Sequence, residues 1–361
     1  MSITIHVGSC LDALAAMPAR SVHCAITSPP YFRARDYGVA KAIGNEPTVA
    51  AHISELVRVF DAVARVLRPD GSLWLNYGDI YATPALAEPA LGIKPKDLMG
   101  LPWRVAIALQ SAGWHLRSEI IWSKRNPMPS SAADRPASSH EHVFLLTREP
   151  TYYFDGYAVR EPRTTSGPRA GHFASGRLWD AAPKEHRAGE LVGAESPNME
   201  TTTRNLRDVW TVTTDGFPDA HFATFPPAIV VPCIKAGTSE KGACVECGSP
   251  WRREVEASGG SVGRGWHDHR DDKMRGQRKP PTPGYTRHDR GFSPSCDCGG
   301  GRGVVPAVVL DPFGGAGTVA MVADRLGRDA ILCEINPEYA EMARRRIVAD
   351  APLFADVTVS K

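Results

Sequence analysis

No apolar run in the 361-residue chain approaches the roughly 20 residues that cross a membrane, so no membrane span is expected. The opening MSITIHVGSC has neither a basic stretch nor a long apolar core, so no secretory signal is expected and the chain reads as cytoplasmic. A dominant charge sign is missing too. With 42 Lys and Arg against 40 Asp and Glu, the formal net charge is only +2. So balanced a chain has no global field for a polyanion, and any nucleic-acid surface must be local. Hydrophobic content of 42% and charge of 23% are ordinary for a soluble globular protein. Cysteine is sparse, eight in all, and unevenly spread. Cys10, Cys24, Cys233 and Cys333 stand in apolar surroundings and read as small buried hydrophobes.

What is present is a clear alternation. ITIHV and HCAIT read as strands, with LDALAAM as a short helix between them. Ile53, Leu56, Val57, Phe60, Val63 and Leu67 recur at three- and four-residue steps, the pattern of an amphipathic helix. RPDG is expected to end that helix, and SLWLN to follow as a strand. A second helix, LPWRVAIALQSAG, leads to two strand-like segments, WHLRSEIIWSK and EHVFLLTR. Such alternation predicts a doubly wound α/β fold with a mostly parallel sheet. Residues 1–160 form one half of it, and 206–361 the other. Between them, 161–205 is rich in Gly, Ser, Thr and Arg, lacks a period, and is expected to be a recognition lobe outside the sheet. Its Arg163, Arg169, Arg177, Arg187 and Arg204 suit contacts to phosphates or base edges.

A second irregular block, 244–303, is bracketed by the pairs Cys244-x-x-Cys247 and Cys296-x-Cys298. With no secretory signal, clustered cysteines indicate metal rather than disulfides. Four thiolates would close a structural zinc tetrahedron and leave no open position for chemistry. Residues 249–303 carry eleven Lys and Arg against seven Asp and Glu, a local excess suited to phosphates.

The most legible segment is VLDPFGGAGT, Val309 to Thr318. An apolar strand runs into a glycine turn and then a helix, so the backbone can approach a ligand closely. Glu334 closes the next strand nineteen residues after Gly315, the spacing at which a carboxylate meets the ribose hydroxyls of a nucleoside. The run Gly315-x-Gly317-x-x-Ala320 also fits a dinucleotide fingerprint, which makes a nicotinamide oxidoreductase a competing reading. Only twenty-seven residues follow Glu334, and that reading gives no task to Thr27-Ser28-Pro29-Pro30-Tyr31. There a buried strand ends in two prolines, which lack N–H donors and fix φ, so the chain turns rigidly and presents an aromatic ring.

Together these segments resemble the amino-methylating DNA methyltransferases, in the permuted arrangement where the catalytic tetrapeptide precedes the cofactor loop. TSPPY is similar to the catalytic motif, DPFGGAGT to the cofactor loop, and EINPEY to the ribose strand. HFATFP is similar to the segment over the methionine end of the cofactor, and LNYGDIY, EIIWSKRNPMP and HEHVFLLTREPTYYFD follow in the family's order. The resemblance implies a seven-stranded sheet, S-adenosyl-L-methionine as cofactor and double-stranded DNA as substrate. It also implies, as a partner in some members, a cognate restriction endonuclease. It assigns catalysis to Ser28, Pro29, Pro30 and Tyr31. Cofactor binding falls to Asp311, Phe313, Gly314, Gly315, Gly317, Thr318 and Glu334, with His221, Phe222 and Pro226 over the methionine end. Relatives commonly carry Gly-Asp in the first strand–helix turn. Here it reads Gly8-Ser9, which leaves the adenine contact to Ser9 or to a neighbour such as Asp12.

The elbow then has a physical task. An exocyclic amino nitrogen is a poor nucleophile because its lone pair is delocalised into the ring. Two acceptors, the Ser28 side chain and the Pro29 carbonyl, would take both N–H groups and stabilise the charge developing on nitrogen. Tyr31 would stack on a flipped base, and transfer becomes a direct displacement governed by alignment. Ser in the first position is commoner among cytosine-N4 enzymes of the family and Asp among adenine-N6 enzymes, so cytosine N4 is expected, with adenine N6 as the alternative. Pro232-Cys233 is similar to the nucleophile of carbon-5 cytosine methyltransferases, but there the cofactor loop precedes the cysteine. A non-catalytic DNA-binding module would need neither turn, acid nor elbow.

Overall fold

The structure, a computed structural model, describes residues 1–34, 42–162, 203–214, 226–258, 286–298, 303–351 and 356–360. His221, Phe222 and all but the ends of the expected recognition lobe lie outside the described residues.

Nine strands form the main sheet: β1 (Ser2–Val7), β2 (Val22–Thr27), β3 (Leu67–Tyr77), β4 (His115–Lys124), β5 (His140–Thr147), β6 (Val209–Val212), β7 (Val308–Asp311), β8 (Asp329–Glu334) and β9 (Asp356–Ser360). Their order is β9-β1-β8-β7-β2-β3-β5-β4-β6. Only β5 runs antiparallel to its neighbours; the other pairs are parallel. The six α-helices among the described residues are α1 (Cys10–Ala16), α2 (Val49–Val66), α3 (Leu101–Ser111), α4 (Pro227–Gly237), α5 (Thr318–Arg325) and α6 (Pro337–Asp350). Two strands exceed the expected seven, because β9 and β6 extend the two edges.

The sequence explains these elements locally. Every residue of β2 is buried, as befits a central parallel strand covered on both faces. Helix α2 turns Leu56, Val59, Phe60 and Val63 into the core, and the Thr48 hydroxyl caps it by accepting the Ala51 N–H at 3.1 Å. One boundary differs from expectation. RPDG does not separate helix from strand but lies inside β3, where pairing with β2 jumps from Val22↔Leu67 to Cys24↔Ser72. The extra residues are a bulge, which a rigid proline and a glycine tolerate.

The topology positions the site. From β2 the chain builds outward through β3, whereas β7 leads the other way to β8, yet β7 and β2 are neighbours with Val309↔Cys24 and Leu310↔Ala25 in register. Ligands bind beyond the carboxyl ends of parallel strands at such a reversal. The elbow after β2 and the glycine turn after β7 both start there.

The chain divides into two compact units. One comprises Met1–Val159, Arg207–Arg253 and Phe292–Lys361, and includes the sheet. The other comprises Arg160–Leu206 and Glu254–Gly291. Within the second, Glu161–Pro162 pairs antiparallel with Thr203–Arg204, and the Arg204 guanidinium meets Glu161 at 2.8 Å.

Candidate active site

A cleft of about 690 Å³ opens at the reversal point, within the size range of small-molecule sites. Ser9, Ser28, Pro29, Pro30, Tyr31, Phe313, Gly314, Gly315, Thr318 and Glu334 all line it, although they come from opposite ends of the chain. Asp12, the alternative to Ser9, is not on its wall. Ser9 is the N-cap of α1 but makes no side-chain capping bond.

The glycine turn is tied to Glu334. One carboxylate oxygen accepts the Gly315 N–H at 2.8 Å, the other the Asn336 N–H at 2.9 Å. Burial raises this carboxyl above its ordinary value, and bonds from the Asn336, Gly315 and Ile335 N–H groups oppose the rise. A carboxylate offers about four lone-pair sites, so acceptor capacity remains for a hydroxyl. Gly317 begins α5 at φ +75°, and a Cβ there would stand 2.9 Å from that of Ala343 on α6. Only glycine meets both conditions.

Asp311 and Gly317 lie behind the cleft wall rather than on it. Asp311 is buried; its carboxylate accepts the Thr27 hydroxyl at 2.7 Å and the Phe313 N–H at 3.0 Å. It therefore locks the strand of the elbow to the strand of the glycine turn, across 284 positions of sequence. Burial pushes its carboxyl up to about 7. Pro226 is the N-cap of α4 and likewise stands off the wall.

At the elbow, the Tyr31 hydroxyl donates to Glu141 Oε2 at 2.8 Å, and the Ser28 hydroxyl meets the Tyr31 oxygen at 3.3 Å. Asn76 Nδ2 donates to all three partners, at 3.3 Å to Ser28, 3.1 Å to Tyr31 and 2.9 Å to Glu141. Lys124 Nζ closes on the other Glu141 oxygen at 2.5 Å. Burial and the Glu141 carboxylate raise the Tyr31 phenol well above its ordinary value, so it stays neutral and donates. The Tyr31 ring packs on Tyr77, centroids 4.7 Å apart. Gly78 leaves room for it, since a Cβ there would lie 2.8 Å from the Tyr31 ring. Behind, the buried His52 bridges the Tyr77 hydroxyl at 2.7 Å and Glu46 at 2.8 Å.

Asn76, Lys124 and Glu141 line the cleft and were not singled out from the sequence. They stand in segments quoted above for the resemblance, but on three different strands, and linear spacing does not say which strands are neighbours. Cys10, expected to be buried, is half-buried and lines the cleft; Cys333 is buried beside it. Cys233 is a packed thiol on α4, its Sγ bonded to the Ile229 carbonyl at 3.1 Å and its pKa raised well above the ordinary value by burial. Among the described residues no cationic or basic group activates it as a nucleophile. Cys244, Cys247, Cys296 and Cys298 converge away from this cleft.

The fold is shared with solved DNA methyltransferases. PvuII DNA methyltransferase, which is cytosine-N4-specific, superposes with a TM-score of 0.55 at 16% identity, over 97% of this chain and 91% of that one. The putative DNA modification methylase TTHA0409 of Thermus thermophilus, in complex with S-adenosyl-L-methionine, gives 0.50 at 19% identity over 99% of both chains. The chain itself belongs to the N6/N4 DNA methylase family, which it matches over residues 22–245 and 306–345. Type II methyltransferase M.XycI of Xanthomonas campestris pv. cyanopsidis is 34% identical to it, over 95% of this chain and 87% of the relative.

Proposed function

We propose that this DNA methylase transfers the methyl group of S-adenosyl-L-methionine to the N4 amino group of a cytosine flipped out of duplex DNA. One observation carries the reading: the Ser28–Tyr31 elbow and the Gly315–Glu334 turn share a single cleft. The cofactor fits the residues present. The turn offers backbone without side chains, Glu334 keeps acceptor capacity for a ribose hydroxyl, and the cleft has room for a nucleoside with its amino-acid tail. When bound, the cofactor supplies an electrophilic methyl group.

The chain's own residues then do three things. Glu334 and the Gly314–Gly315 backbone hold the nucleoside, with Ser9 at the adenine end. Ser28 Oγ and the Pro29 carbonyl accept the amino hydrogens of the base and align its nitrogen, and the prolines hold that carbonyl in place. Tyr31 presents its ring to the base, held by Glu141, Asn76 and the Tyr77 ring. Lys124 grips the other Glu141 oxygen and so fixes the carboxylate on which the Tyr31 hydroxyl rests.

Ser28 accepts from an adenine amino group equally well, so N6-adenine is the second reading. Residues 161–205 are assigned to target recognition. A cognate endonuclease is the natural partner of a chain so similar to a Type II methyltransferase. Sequencing DNA from expressing cells with a method that separates N4-methylcytosine from N6-methyladenine tests the assignment. N6-methyladenine alone would overturn the cytosine reading, and neither mark would overturn both.

A further inference from the structure

A second constellation lies outside the cleft. Cys244 and Cys298 are 54 positions apart in sequence, yet the sulfurs of Cys244, Cys247, Cys296 and Cys298 all lie within 4.8 Å of one another. A zinc ion with four thiolates at about 2.3 Å needs sulfurs about 3.8 Å apart, so the four need only draw together slightly. All eight cysteines are free thiols, so the crowding is not that of two disulfides.

The surrounding backbone is built as a knuckle. The Gly248 N–H donates to the Cys244 carbonyl and the Cys244 N–H to the Ser249 carbonyl, both at 2.8 Å. Cys244 pairs antiparallel with Val304, just beyond the second cysteine pair. The Ser295 hydroxyl donates to the Pro250 carbonyl at 2.6 Å and staples the two cysteine turns together.

This knuckle is fastened to the sheet at two points. His23, nine-tenths buried on β2, accepts the Val308 N–H on Nδ1 at 3.0 Å, so its proton sits on Nε2, which donates to the Gly248 carbonyl at 2.9 Å. Arg68 on β3 donates to the Cys247 carbonyl at 2.9 Å while paired with Asp70 at 2.9 Å. β2 is the strand that ends in the elbow.

We propose that Cys244, Cys247, Cys296 and Cys298 bind one structural zinc ion, and that the loaded knuckle clamps β2 and β3 through His23 and Arg68. A closed tetrathiolate leaves the metal no open position, so its role is to hold backbone carbonyls in place. The proposal stands independently of the methyl acceptor. If the protein binds zinc but methylates nothing, only the function above fails; if it methylates without metal, only this inference fails.

The test uses the full chain purified without added metal. Elemental analysis should find about one zinc per chain, which a thiol-blocking reagent releases into a zinc-sensitive dye. Cobalt exchanged into the wild type should show the visible bands of a tetrahedral tetrathiolate, a measurement that does not depend on whether a cysteine variant folds. Cys247→Ser should lose those bands and most of the zinc. Stripping the metal should speed amide hydrogen exchange in Val22–Thr27 at least severalfold relative to β1. A folded, metal-free wild type, iron in place of zinc, or a pair of disulfides would overturn the site. Unchanged exchange in β2 on metal removal would overturn the clamp.

Discussion

Asp311→Asn should make the ligand-free protein more stable at neutral pH. The Asp311 carboxyl is buried, and burial, aided by the Glu334 charge, raises it from 3.8 to about 7 against the bonds from Thr27 and Phe313. A carboxyl whose folded pKa exceeds its unfolded value binds its proton more tightly in the folded state. Its contribution is therefore fully present below about pH 4, is lost as pH rises from 4 to 7, and stays lost above that. Roughly three pKa units at ~1.4 kcal/mol each set the loss at about 4 kcal/mol. Asparagine presents the same carbonyl oxygen to Thr27 and Phe313 but cannot ionise. Urea unfolding of both proteins at pH 5 and pH 8 should show the variant's relative stability growing by about 3 kcal/mol between the two, with all other titrations cancelling in the comparison. Growth of less than about 1 kcal/mol would refute the reasoning, because Asp311 would then ionise as easily folded as unfolded.

The remaining predictions concern the cleft. Tyr31→Ala should cut turnover about 10- to 100-fold through lost base stacking of ~1–3 kcal/mol, with cofactor affinity measured by calorimetry unchanged. Ser28→Ala removes one acceptor from the amino group and should slow single-turnover methylation by about 10² while DNA binding persists; full activity would remove its assigned role. Glu141→Gln replaces the charged acceptor of Tyr31 and breaks the Lys124 pair, so methylation should fall about tenfold with the cofactor Kd unmoved. A matching loss of cofactor affinity would instead place Glu141 in cofactor binding. Gly317→Ala should destabilise the protein by about 1–3 kcal/mol in urea, since the new methyl group meets Ala343 at a positive φ; a neutral result would mean that α6 yields easily.

The sequence by itself determined the local elements and the chemistry-bearing segments. Apolar periodicity in Val49–Val66, the short apolar runs Cys24–Ile26 and Val308–Leu310, the glycine turn and the Ser28–Tyr31 elbow are all short-range signals, set by backbone sterics and by which faces must leave water. The nineteen-residue interval from Gly315 to Glu334 is legible for the same reason, because one strand–helix–strand unit contains it. Only the tertiary structure decided which ends of chain meet. That Thr27 bonds Asp311, that Asn76, Lys124 and Glu141 from three strands surround Tyr31, and that His23 holds the cysteine knuckle depend on strand order. Strand order is a global packing outcome, and residues far apart in sequence carry no local mark of it. RPDG shows the same limit at small scale: its proline and glycine signal a break, and only pairing against β2 decides that the break is a bulge within one strand.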